Sequence, residues 1–253
     1  MSTTLSVTPT AAPPAIAATI ARLTAEAEPW LQAVQEHFTT TPAPTTAELD
    51  PFVQDFSLPA LTDPDGLLTG AGFVATPGVL ADSPWHLAWW LRRPHGPERL
   101  AFVADPRSEM FRDYTMLEWW RLPARSGRPH LTGPYVDYVC TDDYTVTYTA
   151  PVYVNGELVG VVGWDSLVDR LERELLPTMR AVHGVATVIN SSGRVVTSTD
   201  TRRDPGSMLR LPGLSALRDV LASPDTDITA QVLAPGVQVL TCGDAELILV
   251  IES

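Results

Sequence analysis

Between Ile16 and Phe38 the apolar residues Ile20, Leu23, Ala27, Trp30, Leu31, Val34 and Phe38 recur at steps of three and four. That spacing draws one stripe along a helix and predicts a long N-terminal helix over 14–40, kinked at Pro29. The stripe suits a sheet of its own chain and a second subunit equally, so a homodimer is one expectation. "TPAPTTAELDP" then reads as a Pro/Thr loop, and "LLTGAGFVA", "WHLAWWLR" and "RLAFVAD" as short strands bounded by Gly, Pro or Asp. In "SEMFRDYTMLEWWRLPA" a helical spacing sets Met110, Tyr114, Leu117 and Arg121 on one side, with an end at Pro123.

Residues 131–166 supply a meander of three strands. The Asn155-Gly156 pair between the last two predicts a two-residue type I′ turn, which fixes a register. Run without interruption, that register sets Val154 against Glu157 and Val146 against Asp165. Tyr144, Val146, Tyr148 and Ala150 then share a face with Val161, Gly163 and Asp165, while Thr145, Thr147, Thr149 and Trp164 point away. A single bulge would invert this assignment.

"SLVDRLERELLPTMRAVH" is a second amphipathic helix, read as a connector. Beyond it, "VATVINSSGRVVTST" predicts a hairpin, "LPGLSALRDVLA" a short helix and "VQVLTCGDAELILVIES" a closing hairpin. The expected fold class is α+β: a flexible tail at 1–13, the N-terminal helix at 14–40, an antiparallel main lobe at 41–165, the connecting helix at 166–183 and a reduced second lobe at 184–253.

Composition narrows the function classes. A net charge of −13 and the lack of any Arg cluster argue against direct nucleic-acid binding. No basic, apolar leader and no run near the ~20 apolar residues of a membrane span occurs, so a cytoplasmic protein without membrane contact is expected. Cys140 and Cys242 form no CxxC or metal spacing, and His37, His86, His95, His130 and His183 stand singly. No phosphate-binding glycine loop, HExxH or GxSxG is present, so neither cofactor, metal nor enzyme activity is expected.

What stands out is acids among aromatics. Asp137 and Asp165 sit in or beside strands built from Val, Thr and Tyr, where a buried carboxylate is costly unless paired. Taken alone, Asp137 reads equally as a solvated edge residue and Asp165 as the N-cap of the helix that follows. Glu118, Trp119 and Trp120 are consecutive on a helix and point about 100° apart. Both indoles can be core anchors, or one can line a groove where its face attracts a cation by roughly 0.5 to 2 kcal/mol.

Together "EWWRLPARSGRPHLTGPYVDY", "TVTYTAPVYVNGELVGVVGWD" and "VINSSGRVVTSTD" resemble the Cache family of small-molecule sensor modules, specifically double Cache (PAS-like) domains, over roughly 15–210. The resemblance implies a PAS-like ligand-binding lobe. It also implies that Tyr135, Asp137 and Asp165 hold a ligand's ammonium group while Trp119 and Trp120 wall the pocket; Glu118 and Tyr148 complete the expected site. Amino-acid-binding relatives carry an Arg two residues before the aromatic pair, where this chain has Leu117. That departure shifts the expected ligand from an amino acid to a biogenic or quaternary amine, with Arg112 or Arg121 as substitutes that would restore carboxylate binding. The expectation is a sensor that signals to a separate partner such as a transcription regulator. The rivals are an amino-acid sensor, a small enzyme using the two aspartates as acid and base, and a ligand-free scaffold.

Overall fold

The computed structural model describes residues 12–63, 66–137, 144–214, 230–242 and 247–253. They form two compact units, one made of 21–171 and the other of residues before 21 together with 172–253.

In the first unit six antiparallel strands run in the order β3-β2-β1-β6-β5-β4. These are β1 (Leu68–Ala75), β2 (Leu87–Leu91), β3 (Glu98–Arg99), β4 (His130–Val136), β5 (Tyr144–Val154) and β6 (Glu157–Leu167). The predicted meander is β4-β5-β6. Of "RLAFVAD" only the first residue, Arg99, enters a strand, and the rest is irregular.

One face of the sheet is covered by helices. The expected single helix is two, α1 (Ala12–Ala25) and α2 (Ala27–Thr40), separated at Glu26. Pro29 explains the break, because its ring crowds the carbonyl four residues back, at Ala25. Trp30, Val34 and Phe38 are buried, α2 packs on β5 and β6, and Phe38 meets Phe73 of β1 with ring centroids 5.7 Å apart. The stripe of α2 is therefore occupied within the chain.

The segment read as a Pro/Thr loop begins a further helix, α3 (Thr46–Thr62), which packs on β1 and β2. Glu48 reaches back to accept from the Thr45 backbone N–H and hydroxyl, each at 2.8 Å, as in a capping box. Asp50 ties this helix to the sheet through His86 Nε2 at 2.7 Å and Arg99 at 2.8 Å.

The other face carries a core of Val74, Leu87, Trp89, Leu91, Leu100, Tyr114, Trp119, Trp120 and Val161. The helix expected from Ser108 to Pro123 is instead an irregular segment, a 3-10 turn at Tyr114–Met116 and then α4 (Glu118–Ser126), which contains Pro123 and ends at the left-handed Gly127. Met110 is largely exposed rather than on a packed stripe.

The Asn155-Gly156 turn forms as expected, with φ of 53° and 86°, and Val154 opposes Glu157. A bulge then shifts the register between Val152 and Tyr153, since Tyr153 opposes Leu158 while Val152 opposes Gly160. Beyond it Thr147 opposes Asp165 and Tyr148 opposes Trp164, so Thr145, Thr147 and Thr149, rather than Tyr144, Val146 and Tyr148, share a face with Gly163 and Asp165.

β6 leads into α5 (Val168–Arg180). In the second unit five antiparallel strands run in the order β8-β7-β11-β10-β9, comprising β7 (Val185–Asn190), β8 (Val195–Ser198), β9 (Ala230–Ala234), β10 (Val237–Thr241) and β11 (Leu247–Glu252). The two predicted hairpins are β7-β8 and β10-β11, and β9 is an additional strand. Ile189, Val195, Leu214, Val239, Ile248 and Val250 form its core. Most of the helix expected in "LPGLSALRDVLA", the expected tail up to residue 11, and Cys140 lie outside the described residues. Among the described residues no helix is long and apolar enough to cross a membrane.

Candidate functional site

On the face of the first unit's sheet opposite α2, between the strands and α4, lies a cavity of about 20 Å³ lined by Val74, Leu87, Trp89, Trp119, Tyr135, Asp137, Thr147 and Asp165. That is room for about one water. Val74, Leu87, Trp89 and Trp119 make its apolar part, and Tyr135, Asp137, Thr147 and Asp165 its polar part.

Asp165 sits inside β6, two residues before the strand ends, so it is a strand residue and not a helix cap. Its carboxylate accepts from the Thr147 hydroxyl at 2.6 Å through Oδ1 and from the Trp89 indole at 3.2 Å through Oδ2. Tyr135 extends the chain, its hydroxyl lying 2.9 Å from that of Thr147. Asp137, just past β4, is 2 % exposed and Asp165 is 3 % exposed.

The Trp89–Asp165 contact crosses β1, which lies between β2 and β6, and it passes over Gly70. A Cβ on Gly70 would fall 2.6 Å from Asp165 Oδ2 and 2.7 Å from Trp89 Nε1, so only glycine leaves the two groups free to meet.

Burial and then the neighbouring Asp137 carboxylate push Asp165 up to about 7, while the Thr147 and Trp89 donors pull it down. Near neutral pH the Asp165 carboxyl is therefore only partly ionised. Among the described residues no Arg lines the cavity, and no three His, Cys, Asp or Glu side chains gather as metal ligands.

Of the residues singled out in the sequence, Trp119, Tyr135, Asp137 and Asp165 converge on this cavity. Three do not. Trp120 is buried in the core beside it, its ring 5.2 Å from that of Tyr114. Tyr148 lies on the opposite face, stacked on Trp164 at 5.4 Å, because the bulge inverts the register. Glu118 turns away to His130, 3.4 Å distant, with its side chain 41 % exposed. The proposed carboxylate substitutes also point elsewhere: Arg112 and Arg121 are exposed, and Arg112 donates to the carbonyls of Glu109 and Phe111.

Trp89, Thr147 and Gly70 are site residues that sequence reasoning passed over. Strict alternation along "LAWWL" would have set Trp89 and Trp90 on opposite faces, and the bulge was the missing information for Thr147.

Residues 103–173, which include most of this lining, match the family model described as methyl-accepting chemotaxis protein-like, first PDC sensor domain. A comparison with curated proteins gave no match. Among solved structures, "Methyl-accepting Chemotaxis protein X" is similar at 17% identity and a TM-score of 0.64, covering 94% of this chain and 91% of its own. The ligand-binding domain of the Pseudomonas fluorescens chemoreceptor CtaA, in complex with L-valine, is similar at 15% identity and 0.56, covering 96% and 92%. That of the Pseudomonas aeruginosa amino acid chemoreceptor PctC, in complex with GABA, is similar at 14% and 0.53, covering 95% and 94%. At such identities the likeness is one of fold. The matched segment resembles a PDC-type (Cache) sensor domain, and the architecture along nearly the whole chain is the fold of chemoreceptor ligand-binding domains.

Proposed function

We propose that this domain senses a small primary or otherwise cationic amine, whose ammonium group is held between Asp137 and Asp165. The observation that carries the reading is a cavity with two buried carboxylates and no basic side chain among its described lining residues. A cation there relieves the repulsion between the acids. The Trp119 indole, which lines the same cavity, would add a cation–π attraction, and an α-carboxylate would find no positive partner among the described lining residues.

A cavity of about 20 Å³ admits an ammonium group but not a whole ligand, so uptake displaces part of the lining. The sheet is the rigid wall, and α4 with the irregular segment before it is the wall that yields. Asp165 is three residues from the first residue of α5, which offers a covalent route from occupancy to a helix. We place the output in a separate partner protein, a transcription regulator being one form, and read the domain as a binding module rather than an enzyme.

A second reading, an amino acid as ligand, is favoured by the GABA and L-valine held by two domains of similar fold. A thermal-shift series on the purified protein separates them, using isobutylamine, ethanolamine, choline, GABA, L-valine and L-serine. A ligand at 100 times its dissociation constant stabilises by about 2.7 kcal/mol, roughly 5–10 °C for a chain of this size. Stabilisation by isobutylamine but not L-valine, abolished in Asp165→Ala, supports the amine. The reverse order establishes the amino acid, and a response that survives Asp165→Ala overturns both.

A further inference from the structure

We propose that Trp89, reaching across Gly70, is a positioning residue of this site: its indole N–H favours the ionised form of the Asp165 carboxylate beside Asp137 and thereby eases the release of the proton that cation uptake requires. The inference rests on the cation-binding reading and adds to it a residue, a backbone requirement and a pH dependence.

Asp165 has two side-chain donors, Thr147 on Oδ1 at 2.6 Å and Trp89 on Oδ2 at 3.2 Å. Donors to a carboxylate favour its charged form and fix its plane, which leaves the unused lone pairs directed at the cavity. The two donors come from opposite flanking strands, β5 and β2, so the carboxylate is clamped from both sides of β6 and β1. The clamp from β2 exists because residue 70 is glycine. With any side chain there, Cβ would stand in the space through which the indole N–H and Oδ2 meet.

Few charges oppose or assist this arrangement. Facing Asp165 are Asp137 just beyond β4 and Tyr135 on β4. From β1, β2, β5 and α4 come Gly70, Trp89, Thr147 and Trp119, none of which titrates. Among the described residues Asp137 is the charged group that acts on Asp165, and it acts against ionisation. The proton that Asp165 carries near neutral pH must therefore leave when an ammonium group arrives, and the Trp89 donor lowers the cost of that exchange.

The test begins with the ligand-free protein. A carboxyl-carbon NMR titration of aspartate-labelled protein reads the midpoint of Asp165 in wild type, Trp89→Phe and Gly70→Ala. Phenylalanine keeps an aromatic wall and removes only the donor, and alanine at 70 keeps the donor but parts the pair. Both midpoints should rise by about one pH unit, the amount that loss of one hydrogen bond to a charged group produces. Unchanged midpoints in the two folded variants overturn the inference.

The second arm follows binding of methylammonium, a probe that carries little more than the headgroup. Trp89→Phe should weaken it about fivefold near pH 7, with the deficit shrinking above pH 9 where Asp165 is ionised in both proteins. An equal loss at every pH would assign Trp89 a packing role only. No binding of methylammonium to wild type at any pH, with the midpoints shifted as expected, would leave the clamp standing and remove the cation reading instead, so the two failures are distinguishable.

Discussion

Replacing Asp165 by Asn exposes what the buried carboxylate costs. Burial and Asp137 push this carboxyl up to about 7 from the 3.8 of an ordinary aspartate. An acid whose folded value is the higher one binds its proton more tightly when folded. Its contribution to stability is therefore complete below about pH 4 and is lost as pH rises to about 7. Three pH units at about 1.4 kcal/mol each amount to about 4 kcal/mol. Asn cannot titrate, so that loss disappears. Its amide oxygen still accepts from Thr147, but its N–H group faces the Trp89 N–H, a mismatch costing about 1–3 kcal/mol at every pH. Asp165→Asn should thus be less stable than wild type near pH 4 and more stable near pH 8, with a crossing between. Urea denaturation of both proteins at several pH values in that range measures the difference, and subtracting one from the other removes the titrating groups that do not act on Asp165. A difference that stays constant with pH would refute the reasoning, because Asp165 would then titrate alike in the folded and unfolded chains.

Further outcomes follow from particular contacts. Gly163→Ala should destabilise the first unit by several kcal/mol, since a Cβ there would lie 2.2 Å from the Tyr148 carbonyl oxygen; a thermal melt within a degree of wild type would contradict the close approach. Thr45→Ala should lose about 1 kcal/mol by urea denaturation through loss of its hydroxyl contact to Glu48, and no loss would remove the cap from the account of α3. In a Cys140→Ser background, Cys242 should resist a thiol–disulfide reagent until the protein is unfolded, because it is fully buried and burial pushes its thiol up to about 12. Prompt labelling of the folded protein would show an open second unit.

The features legible in the sequence are those with local causes. Asn155-Gly156 announced its turn because both residues tolerate positive φ, and the stripe through Trp30, Val34 and Phe38 announced α2. Asp137 and Asp165 stood out because an acid in an apolar strand demands a reason, and both are indeed enclosed in one cavity. What failed was long-range register. A bulge between the turn and the site has no signature in "NGELVG", yet it moves Thr147 onto the site face and Tyr148 off it. α3 was hidden by Pro51 and Pro59, which argue against a helix, although the Thr45–Glu48 spacing of a capping box was there to be read. Trp89 was invisible as a partner of Asp165 because their contact depends on three strands and a glycine between them.

The central claim is that a ligand's ammonium group replaces a proton between the two aspartates. Calorimetric titration of isobutylamine into the protein at about pH 6, in two buffers of different ionisation enthalpy, counts that proton directly. The account predicts release approaching one proton per ligand bound in wild type and none in Asp165→Asn. Binding without proton release, equally strong in both proteins, would contradict it.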